Sequence, residues 1–273
     1  MKYNNTQKIQ EHYDLASPYY EKLWGQHIHH GYWLTGKESK EEASQNLIEL
    51  LINKSGLKNK SKVLDIGCGI GGTSIYLAKE YGCDVTGITI SPVQVEMATK
   101  TTSKLSIKNP PNFKVMDANN ITLNDKYDII WSVEMISHLN NRGNLFKRVS
   151  ELLKPGGRMC ITDWLTDDNL DEVSKIKYIE PIEKGMLVSL PTLTEYKEHL
   201  DMNGLRLLYY EDISNKVSKT WDITSEAIKN RALWSLAREH SKEFIEFLQS
   251  FKAMRHGFKS GAFRYPAMVL EKK

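Results

Sequence analysis

Residues 63–72 read VLDIGCGIGG, and this stretch decides which kind of fold the chain can adopt. A strand-like run passes into Gly67, Gly69, Gly71 and Gly72, and a helix-like run, TSIYLAKEYG, follows. Glycine lets the backbone turn tightly and approach a ligand closely, while the N-terminus of a helix offers free N–H groups. The stretch therefore predicts a strand, a ligand-binding turn and a helix.

Two kinds of ligand suit such a turn. The spacing of Gly67, Gly69 and Gly72 matches the dinucleotide pattern, but that pattern also needs an acid about twenty residues later, after the second strand. Residues 87–91, GITIS, hold no carboxylate at that place. Asp65 lies just before the first glycine instead, where an acid suits a ligand with an ammonium group, such as the methionine end of S-adenosylmethionine.

Strand-like and helix-like runs alternate along the middle of the chain. The strand-like runs read KVLDIG, CDVTGIT, NFKV, YDIIWSV and GRMCITDW, and two more follow later, LRLLYYEDI and FRYPAMVLE. Such alternation predicts an α/β fold with a doubly wound, mainly parallel sheet and helices on both faces. We expect a helical N-terminal lid at 1–56, the α/β core at 57–166, a helical cap insertion at 167–203, and the last two strands with a helical insertion at 204–273.

The glycine stretch resembles motif I of class I S-adenosylmethionine-dependent methyltransferases, and residues 87–98, GITISPVQVEMA, strengthen the match. With WGQHIHHGYW at 24–33 and WSVEMISHL at 131–139, the chain is similar to the γ-tocopherol methyltransferase-like branch. That branch also resembles sugar O-methyltransferases and sarcosine/dimethylglycine N-methyltransferases. The resemblance covers essentially the whole chain and implies a Rossmann-like sheet of seven strands. It implies S-adenosyl-L-methionine as cofactor and S-adenosyl-L-homocysteine as product, but it does not name the acceptor.

The resemblance also implies which residues bind the cofactor. They are Asp65, Gly67, Cys68, Gly69, Thr89, Ile90, Gln94, Asp117, Ala118, Tyr13 and Tyr20. Many relatives bind the ribose with an acid after the second strand, and here Thr89 and Ile90 stand in its place, so we expect Thr89 and Gln94 to replace it. An alternative for Gln94 is structural, because Ser91 and Gln94 have capping-box spacing with proline at the first helical position.

Candidate catalytic residues follow the fourth and fifth strands. His138 and Asp163 would both lie at the carboxyl end of the sheet, where open parallel sheets bind ligands. The pair resembles the histidine and aspartate proposed as base and partner in sugar O-methyltransferases. Histidine suits general-base work near neutral pH. Each also has a structural alternative, a locally bonded histidine and a capping aspartate, and Glu134 is expected to face the acceptor.

The stretch WGQHIHHGYW admits two interpretations. Its histidines lack the i, i+4 spacing of a helical metal pair, which argues against a metal site, and we predict none. The resemblance implies an aromatic lid over cofactor and acceptor, and aromatic faces attract a sulfonium cation. The expected acceptor-pocket residues are His29, Tyr32, Trp33 and Glu134. A later stripe, Phe244, Phe247, Leu248 and Phe251, is expected to be core.

Composition limits the possible partners. The charge balance of 37 basic against 34 acidic residues, with no basic run, predicts no nucleic-acid binding. Three scattered cysteines are typical of reduced thiols, and no signal peptide or membrane-length apolar run is visible, so we predict a cytoplasmic protein without a membrane partner. The sequence does not distinguish a monomer from a homodimer.

These observations predict a methyltransferase that modifies a small molecule at oxygen, with His138 as general base and Asp163 supporting it. Carbon or nitrogen methylation by proximity alone is the first alternative, and cyclopropane synthesis is a more distant one. Outside catalysis, a protein that binds S-adenosylmethionine without turnover is the alternative. The missing acid after the second strand disfavours an NAD-dependent oxidoreductase.

Overall fold

The computed structural model describes residues 5–227 and 242–273. Its strands are β1 (Lys62–Ile66), β2 (Asp84–Thr89), β3 (Asn112–Val115), β4 (Tyr127–Val133), β5 (Leu153–Thr162), β6 (Leu165–Thr166), β7 (Leu205–Asp212), β8 (Phe263–Arg264) and β9 (Pro266–Lys272). Seven of them form one sheet in the order β3-β2-β1-β4-β5-β9-β7, and β6 pairs with β8 separately. The predicted doubly wound sheet of seven strands is confirmed.

The helices are α1 (Thr6–Trp24), α2 (Lys40–Ser55), α3 (Gly72–Tyr81), α4 (Pro92–Ser103), α5 (Arg142–Leu152), α6 (Glu172–Ser174), α7 (Glu180–Met186), α8 (Leu193–Met202), α9 (Ser214–Val217), α10 (Lys219–Ala227) and α11 (Lys242–Ser260). A π-helical turn, Lys175–Ile179, joins α6 to α7. The predicted division into lid, core and insertions stays a prediction. A search of the described residues finds no helix that is long and apolar enough to cross a membrane.

The strand order reverses between β1 and β4, and this reversal places the site. Strands β1 to β5 are parallel, whereas β9 runs antiparallel to both β5 and β7. The crossover helices leave β1 and β4 in opposite directions, so a crevice opens at their carboxyl ends. The glycine turn follows β1 and the WSVEMISHL segment continues from β4, so both motifs meet at this crevice.

The sheet has a buried core on each face. Val63 and Leu64 are adjacent in β1, and they belong to different hydrophobic clusters because successive side chains of a strand point to opposite faces. One cluster contains Leu47 of α2 and Phe251 of α11, and the other contains Phe146 of α5. The N-terminal helices and the late insertion therefore pack on one face of the sheet.

The glycine turn is shaped by close backbone contacts. Gly67 has φ of 80°, in the left-handed region that favours glycine, and a Cβ there would lie 2.4 Å from Cγ of Met135. A Cβ on Gly72 would lie 2.2 Å from the backbone oxygen of Gln26. The segment after α1 therefore crosses directly over the first residue of α3.

We expect Gly72→Ala to push the segment at Gln26 away from the turn, because a backbone atom cannot yield as a flexible side chain can. The free energy of unfolding should fall by about 1–3 kcal/mol, the usual cost of overpacking. The matched control is Gly143→Ala in the first turn of α5, where the nearest atom, Nδ1 of His199, lies 3.3 Å from the added Cβ. Urea unfolding of both variants measures the difference, and equal stabilities would contradict the close approach.

Candidate active site

Two cavities meet at the glycine turn. The first cavity encloses about 760 Å³ of empty space and the second, called the glycine-turn cavity, about 360 Å³. Gly67 and Gly69 line both, and a Cβ on Gly69 would have no atom within 4 Å. The glycine turn therefore borders empty space at Gly69. The predicted cofactor residues that line the two cavities are Asp65, Gly67, Cys68, Gly69, Thr89, Ile90, Gln94, Asp117, Ala118 and Tyr13.

Asp65 is a buried acid in the glycine-turn cavity. Its side chain is 3% exposed, and its Oδ2 accepts a hydrogen bond of 2.6 Å from the Ser74 hydroxyl. Burial raises the pKa of Asp65 to about 6, although the Ser74 bond opposes the rise. A cation bound beside it would restore the ionised form, because an opposite charge stabilises a carboxylate. This chemistry suits an ammonium group.

Gln94 links the turn after β2 to helix α1. Its Oε1 accepts from the Thr89 hydroxyl at 2.6 Å, and its Nε2 donates to Ser17 Oγ at 3.1 Å. Half of the predicted capping box is present, since the Gln94 N–H donates to Ser91 Oγ, but the Ser91 N–H turns to Thr89 Oγ1. Gln94 and Thr89 both line the first cavity, and their contact with a ribose stays a prediction.

Asp117 begins the short 3₁₀ turn Ala118–Asn120 at the far end of the first cavity. Its Oδ1 accepts from the backbone N–H and the side-chain amide of Asn119, at 2.8 and 2.9 Å. Both of these bonds use the same carboxylate oxygen. Asp117 is therefore held in position beside the cavity, and the predicted contact with adenine stays a prediction.

Helix α1 lies over the first cavity and is tied to the core. Asp14 Oδ1 accepts from the Ser91 hydroxyl at 2.5 Å, in addition to the Ser17–Gln94 bond. Tyr13 lines the first cavity as predicted. Tyr20 does not line it: about two helical turns farther along, Tyr20 faces another cavity and contacts His12 Nε2 at 3.1 Å. The predicted contact of Tyr20 with the cofactor stays a prediction, and Tyr20 lies on the neighbouring cavity.

A third space, called the aromatic cavity, adjoins the first cavity and encloses about 590 Å³. Tyr13, Ile28, Glu134 and His138 line both spaces. Phe247 and Phe251 of α11 also line the aromatic cavity, so part of the stripe predicted as core also forms a cavity wall. Leu248 is buried as predicted, and the side chain of Phe244 lies outside the described residues.

His138 lies where the two cavities meet. Its Nδ1–H donates to the Leu187 carbonyl at 3.1 Å, which leaves the lone pair on Nε2. The Tyr13 hydroxyl donates to that Nε2 at 2.9 Å. Burial lowers the pKa of His138 to about 4, although the Leu187 bond and the charge of Glu134 oppose the shift. The ring is thus neutral near pH 7, with its basic nitrogen facing a hydroxyl.

Asp163 does not contact His138. Its Oδ2 accepts from the Ser137 N–H at 2.8 Å and the Tyr196 hydroxyl at 2.7 Å, and its Oδ1 accepts from the Trp164 N–H at 2.8 Å. Burial raises the pKa of Asp163 to about 6 against these bonds. The carboxylate therefore fastens the chain after β4 and β5, these three hydrogen bonds do not include the imidazole, and its predicted support of His138 stays a prediction.

Glu134 is the acid that shares the site with His138. Its Oε1 accepts three hydrogen bonds, from the His30 N–H at 2.7 Å, His30 Nδ1 at 2.8 Å and the Tyr265 hydroxyl at 2.6 Å. Burial by itself would raise the pKa of Glu134, but the His30 ring and N–H outweigh it and lower the pKa to about 2. Trp221 Nε1–H donates to His30 Nε2 at 2.5 Å, so the His30 proton lies on Nδ1.

The remaining predicted acceptor residues separate into two groups. His29 lines the aromatic cavity together with Glu134. Tyr32 and Trp33 line none of the three cavities: Tyr32 is only partly buried, and Trp33 is buried with its Nε1–H directed at Thr220 Oγ1, 3.3 Å away. The predicted contact of these two aromatic residues with an acceptor stays a prediction, and no wall of the three cavities includes them. Within residues 5–227 and 242–273, no cluster of three or more His, Cys, Asp or Glu side chains could hold a metal ion.

Several site residues escaped the sequence analysis. Leu187 contributes only a backbone carbonyl, from a left-handed backbone with φ of 55°, and a leucine gives no signal of that role. Tyr265 and Trp221 reach the site from the last insertion, more than eighty residues after His138 in the chain. Asp14 is a polar residue one position after Tyr13, and nothing else in the sequence indicates its contact with Ser91.

Known proteins are similar to this chain over most of its length. The family described as mycolic acid cyclopropane synthetase is matched over residues 1–265. The 27-O-demethylrifamycin SV methyltransferase of Amycolatopsis mediterranei is 29% identical, over 90% of this chain and 91% of that protein. The chloroplastic tocopherol O-methyltransferase of Arabidopsis thaliana is 29% identical, over 97% of this chain and 81% of that protein.

A solved structure shows the same fold. Mycolic acid cyclopropane synthase CmaA1, complexed with SAH and CTAB, superposes with a TM-score of 0.88 at 18% identity, covering 98% of both chains. At this level of identity the likeness concerns the arrangement of strands and helices. It agrees with the strand order and with the helical additions around the sheet.

We expect Asp163→Asn to lower stability and to spare catalysis. An amide offers one acceptor oxygen in place of two, so one of three buried donors loses its partner, at a cost of about 1–3 kcal/mol. Tyr196→Phe is the matched variant, since it removes one donor and leaves both backbone donors satisfied. The measurements are thermal unfolding and kcat for methyl transfer. A fall in kcat of a hundredfold or more (roughly the share of a catalytic group) in folded Asp163→Asn would support the partnership with His138.

The His27 ring makes stability depend on pH. Burial lowers the pKa of His27 to about 3, with the nearby His29 ring adding to the effect. Because the folded pKa lies below the unfolded value of 6.5, this stability is complete above about pH 6.5 and is lost as pH falls. Between about pH 7.5 and about pH 5, wild type should lose about 2 kcal/mol more than His27→Gln.

The control for this measurement is His256→Gln, because His256 is exposed in α11. Urea unfolding at the two pH values gives both differences. Parallel losses in wild type, His27→Gln and His256→Gln would show that His27 protonates as freely in the folded chain as in the unfolded one.

Proposed function

Because this chain belongs to the mycolic acid cyclopropane synthetase family and is an S-adenosylmethionine-dependent methyltransferase, we propose that it methylates a hydroxyl group of a small molecule with His138 as general base. The resemblance to methyltransferases of small molecules that the motifs predicted is confirmed. The acceptor atom, the catalytic role of His138, the cytoplasmic location and the absence of a nucleic-acid partner belong to the proposal.

The proposed cofactor position follows the two cavities at the glycine turn. Bound there, S-adenosylmethionine supplies an electrophilic methyl group on a sulfonium sulfur. Asp65 would pair with its ammonium group in the glycine-turn cavity, and Asp117 would face its adenine at the far end of the first cavity. Gly69 leaves room for the group between them, because a side chain there would enter the empty space.

One observation carries the proposal of oxygen methylation. The unprotonated Nε2 of His138 already accepts a hydrogen bond from a hydroxyl, that of Tyr13, at 2.9 Å, and both residues line the first and the aromatic cavities. An acceptor hydroxyl that replaces Tyr13 at this distance would direct its proton at the basic nitrogen and hold its oxygen at the junction with the cofactor cavity. General-base geometry requires about 2.6–3.2 Å between the heavy atoms.

In the proposed step, S-adenosylmethionine bound at the glycine turn would supply the methyl group, and its sulfur would keep the electron pair of the C–S bond. The acceptor oxygen would form the new O–CH₃ bond with a lone pair. The hydroxyl proton passes to His138 Nε2, and the Leu187 carbonyl and Glu134 stabilise the imidazolium that forms. The walls of both cavities align the reactants, and alignment alone can supply roughly 7–11 kcal/mol of the barrier.

We expect His138→Gln to lower kcat by about 10²–10⁴-fold while leaving S-adenosylmethionine affinity nearly unchanged, because only the proton acceptor is removed. His199→Gln is the control, since His199 lies on α8 and lines none of the three cavities. The assay follows methyl label from S-adenosylmethionine into fractions of a cell extract, and calorimetry measures cofactor binding. A variant that transfers label at the wild-type rate would favour carbon or nitrogen methylation, and tight binding without any label would favour the non-catalytic alternative.

The same assay has a pH dependence. Since the pKa of His138 is lowered to about 4, its basic form persists through the neutral range and is lost only as pH falls toward that value. Wild-type kcat should therefore stay level from about pH 8 to about pH 6 and decline below about pH 5. A decline centred near pH 6.5, the ordinary histidine value, would contradict a buried neutral base.

A further inference from the structure

Much of the wall of the aromatic cavity is apolar. Rings of Tyr20, Trp164, Trp221, Phe247 and Phe251 line it, and Met186 adds a flexible apolar side chain. These side chains bury the apolar body of a ligand and carry no charge of their own. A molecule that enters must therefore gain most of its affinity from contact with rings.

The fixed charge on this cavity is negative. Glu134 keeps its carboxylate ionised because three donors from His30 and Tyr265 converge on its Oε1. Burial lowers the pKa of three histidine rings of the cavity, that of His12 and of His138 to about 4 each and that of His29. Among the described residues that line the cavity there is no lysine and no arginine.

Two residues that line the cavity have a buried polar atom without a hydrogen-bond partner in the described part of the chain, one an acceptor and one a donor. His29 donates through Nδ1 to the His30 carbonyl at 2.8 Å, so its Nε2 carries a lone pair, and this buried atom has no partner within the described chain. The Trp164 Nε1–H is a buried donor without a partner there. A hydroxyl satisfies both kinds of group, because it donates and accepts. A carboxylate or phosphate brings only lone pairs and charge.

From this arrangement we propose that the aromatic cavity selects an acceptor with an apolar body that is uncharged or cationic, and that it rejects molecules carrying a carboxylate, phosphate or sulfate. The inference rests on the proposed function in that this cavity holds the acceptor. An anion in the cavity would give up its hydration and face the Glu134 carboxylate with no cation to compensate it. A cation would meet the same carboxylate and the ring faces favourably.

The first test sorts acceptors by charge. Cell extract is divided by ion exchange into anionic, cationic and uncharged small molecules, and each fraction is incubated with the protein and methyl-labelled S-adenosylmethionine. The uncharged and cationic fractions should take up label and the anionic fraction should not. Label concentrated in the anionic fraction overturns the inference and leaves the methyltransferase activity intact.

The second test needs no turnover, so it separates failure of the inference from failure of the proposed function. Three phenols of similar size are titrated, 4-butylphenol, 4-(2-aminoethyl)phenol and 4-hydroxyphenylpropionate, with tryptophan fluorescence as readout, since Trp164 and Trp221 line the cavity. The carboxylate should bind at least about tenfold more weakly than the uncharged phenol, as expected of an uncompensated buried charge. Equal affinities, or no binding of the uncharged phenol, overturn the inference.

Variants assign the discrimination to its cause. Glu134→Gln keeps the size of the side chain and removes the charge, so the penalty on the carboxylate probe should shrink by about threefold or more. Glu49→Gln is the matched control, because Glu49 also accepts bonds from two tyrosines, Tyr76 at 2.6 Å and Tyr81 at 2.9 Å, but lines none of the three cavities. A penalty unchanged in Glu134→Gln, or equally reduced in Glu49→Gln, contradicts the role of the cavity's charge.

Discussion

The proposed acceptor side of this molecule depends on one buried, ionised carboxylate, that of Glu134, and on the hydrogen bonds that it accepts. A buried charge is tolerated only where several donors surround it, and here the donors come from distant parts of the chain. His30 belongs to the segment after α1, and Tyr265 lies between β8 and β9. Glu134 itself has a left-handed backbone, with φ of 53°, at the end of β4. Because its oxygen needs all of these partners, the lid segment, the fourth strand and the final strands can close the site only together.

The same closure sets the protonation of the histidines. Backbone carbonyls accept hydrogen bonds from the Nδ1–H groups of His29 and His138, so both rings keep a lone pair on Nε2. For His138 that carbonyl belongs to Leu187, whose left-handed backbone ends α7. A carbonyl that accepts from Nδ1 fixes the tautomer, and the other nitrogen is then free to accept a proton. The helical insertion after β6 is in this way linked to the chemistry, although none of its side chains is acidic or basic at the contact.

The sequence predicts best the residues whose positions follow from strand ends. Asp65, Gly67 and Thr89 lie at the carboxyl ends of β1 and β2, and the reversal of strand order brings them to one crevice whatever the helices do. Tyr20, Tyr32 and Asp163 lie outside the first and glycine-turn cavities, and their positions could not be read from the sequence for a different reason. Packing between segments far apart in sequence decides which face of α1 points towards the first cavity. The same packing decides where the segment after α1 leaves the crevice and which donors reach Asp163. A residue such as Leu187, which acts through its backbone, carries no signal in its side chain.

This division also bears on how one fold can host different acceptors. The glycine-turn and first cavities are built largely by the ends of β1, β2 and β4, which the core of the sheet holds rigidly. The aromatic cavity is built largely by α1, the segment after it, and the insertions that carry Met186, Trp221 and Phe247. Substitutions in those insertions would change the walls, charge and size of the proposed acceptor space without moving a strand. A rifamycin methyltransferase, a tocopherol methyltransferase and a cyclopropane synthase can therefore resemble this chain over nearly its full length while their acceptors differ. It follows that the charge of Glu134 and the rings around it tell more about the acceptor of this protein than the identity of any relative.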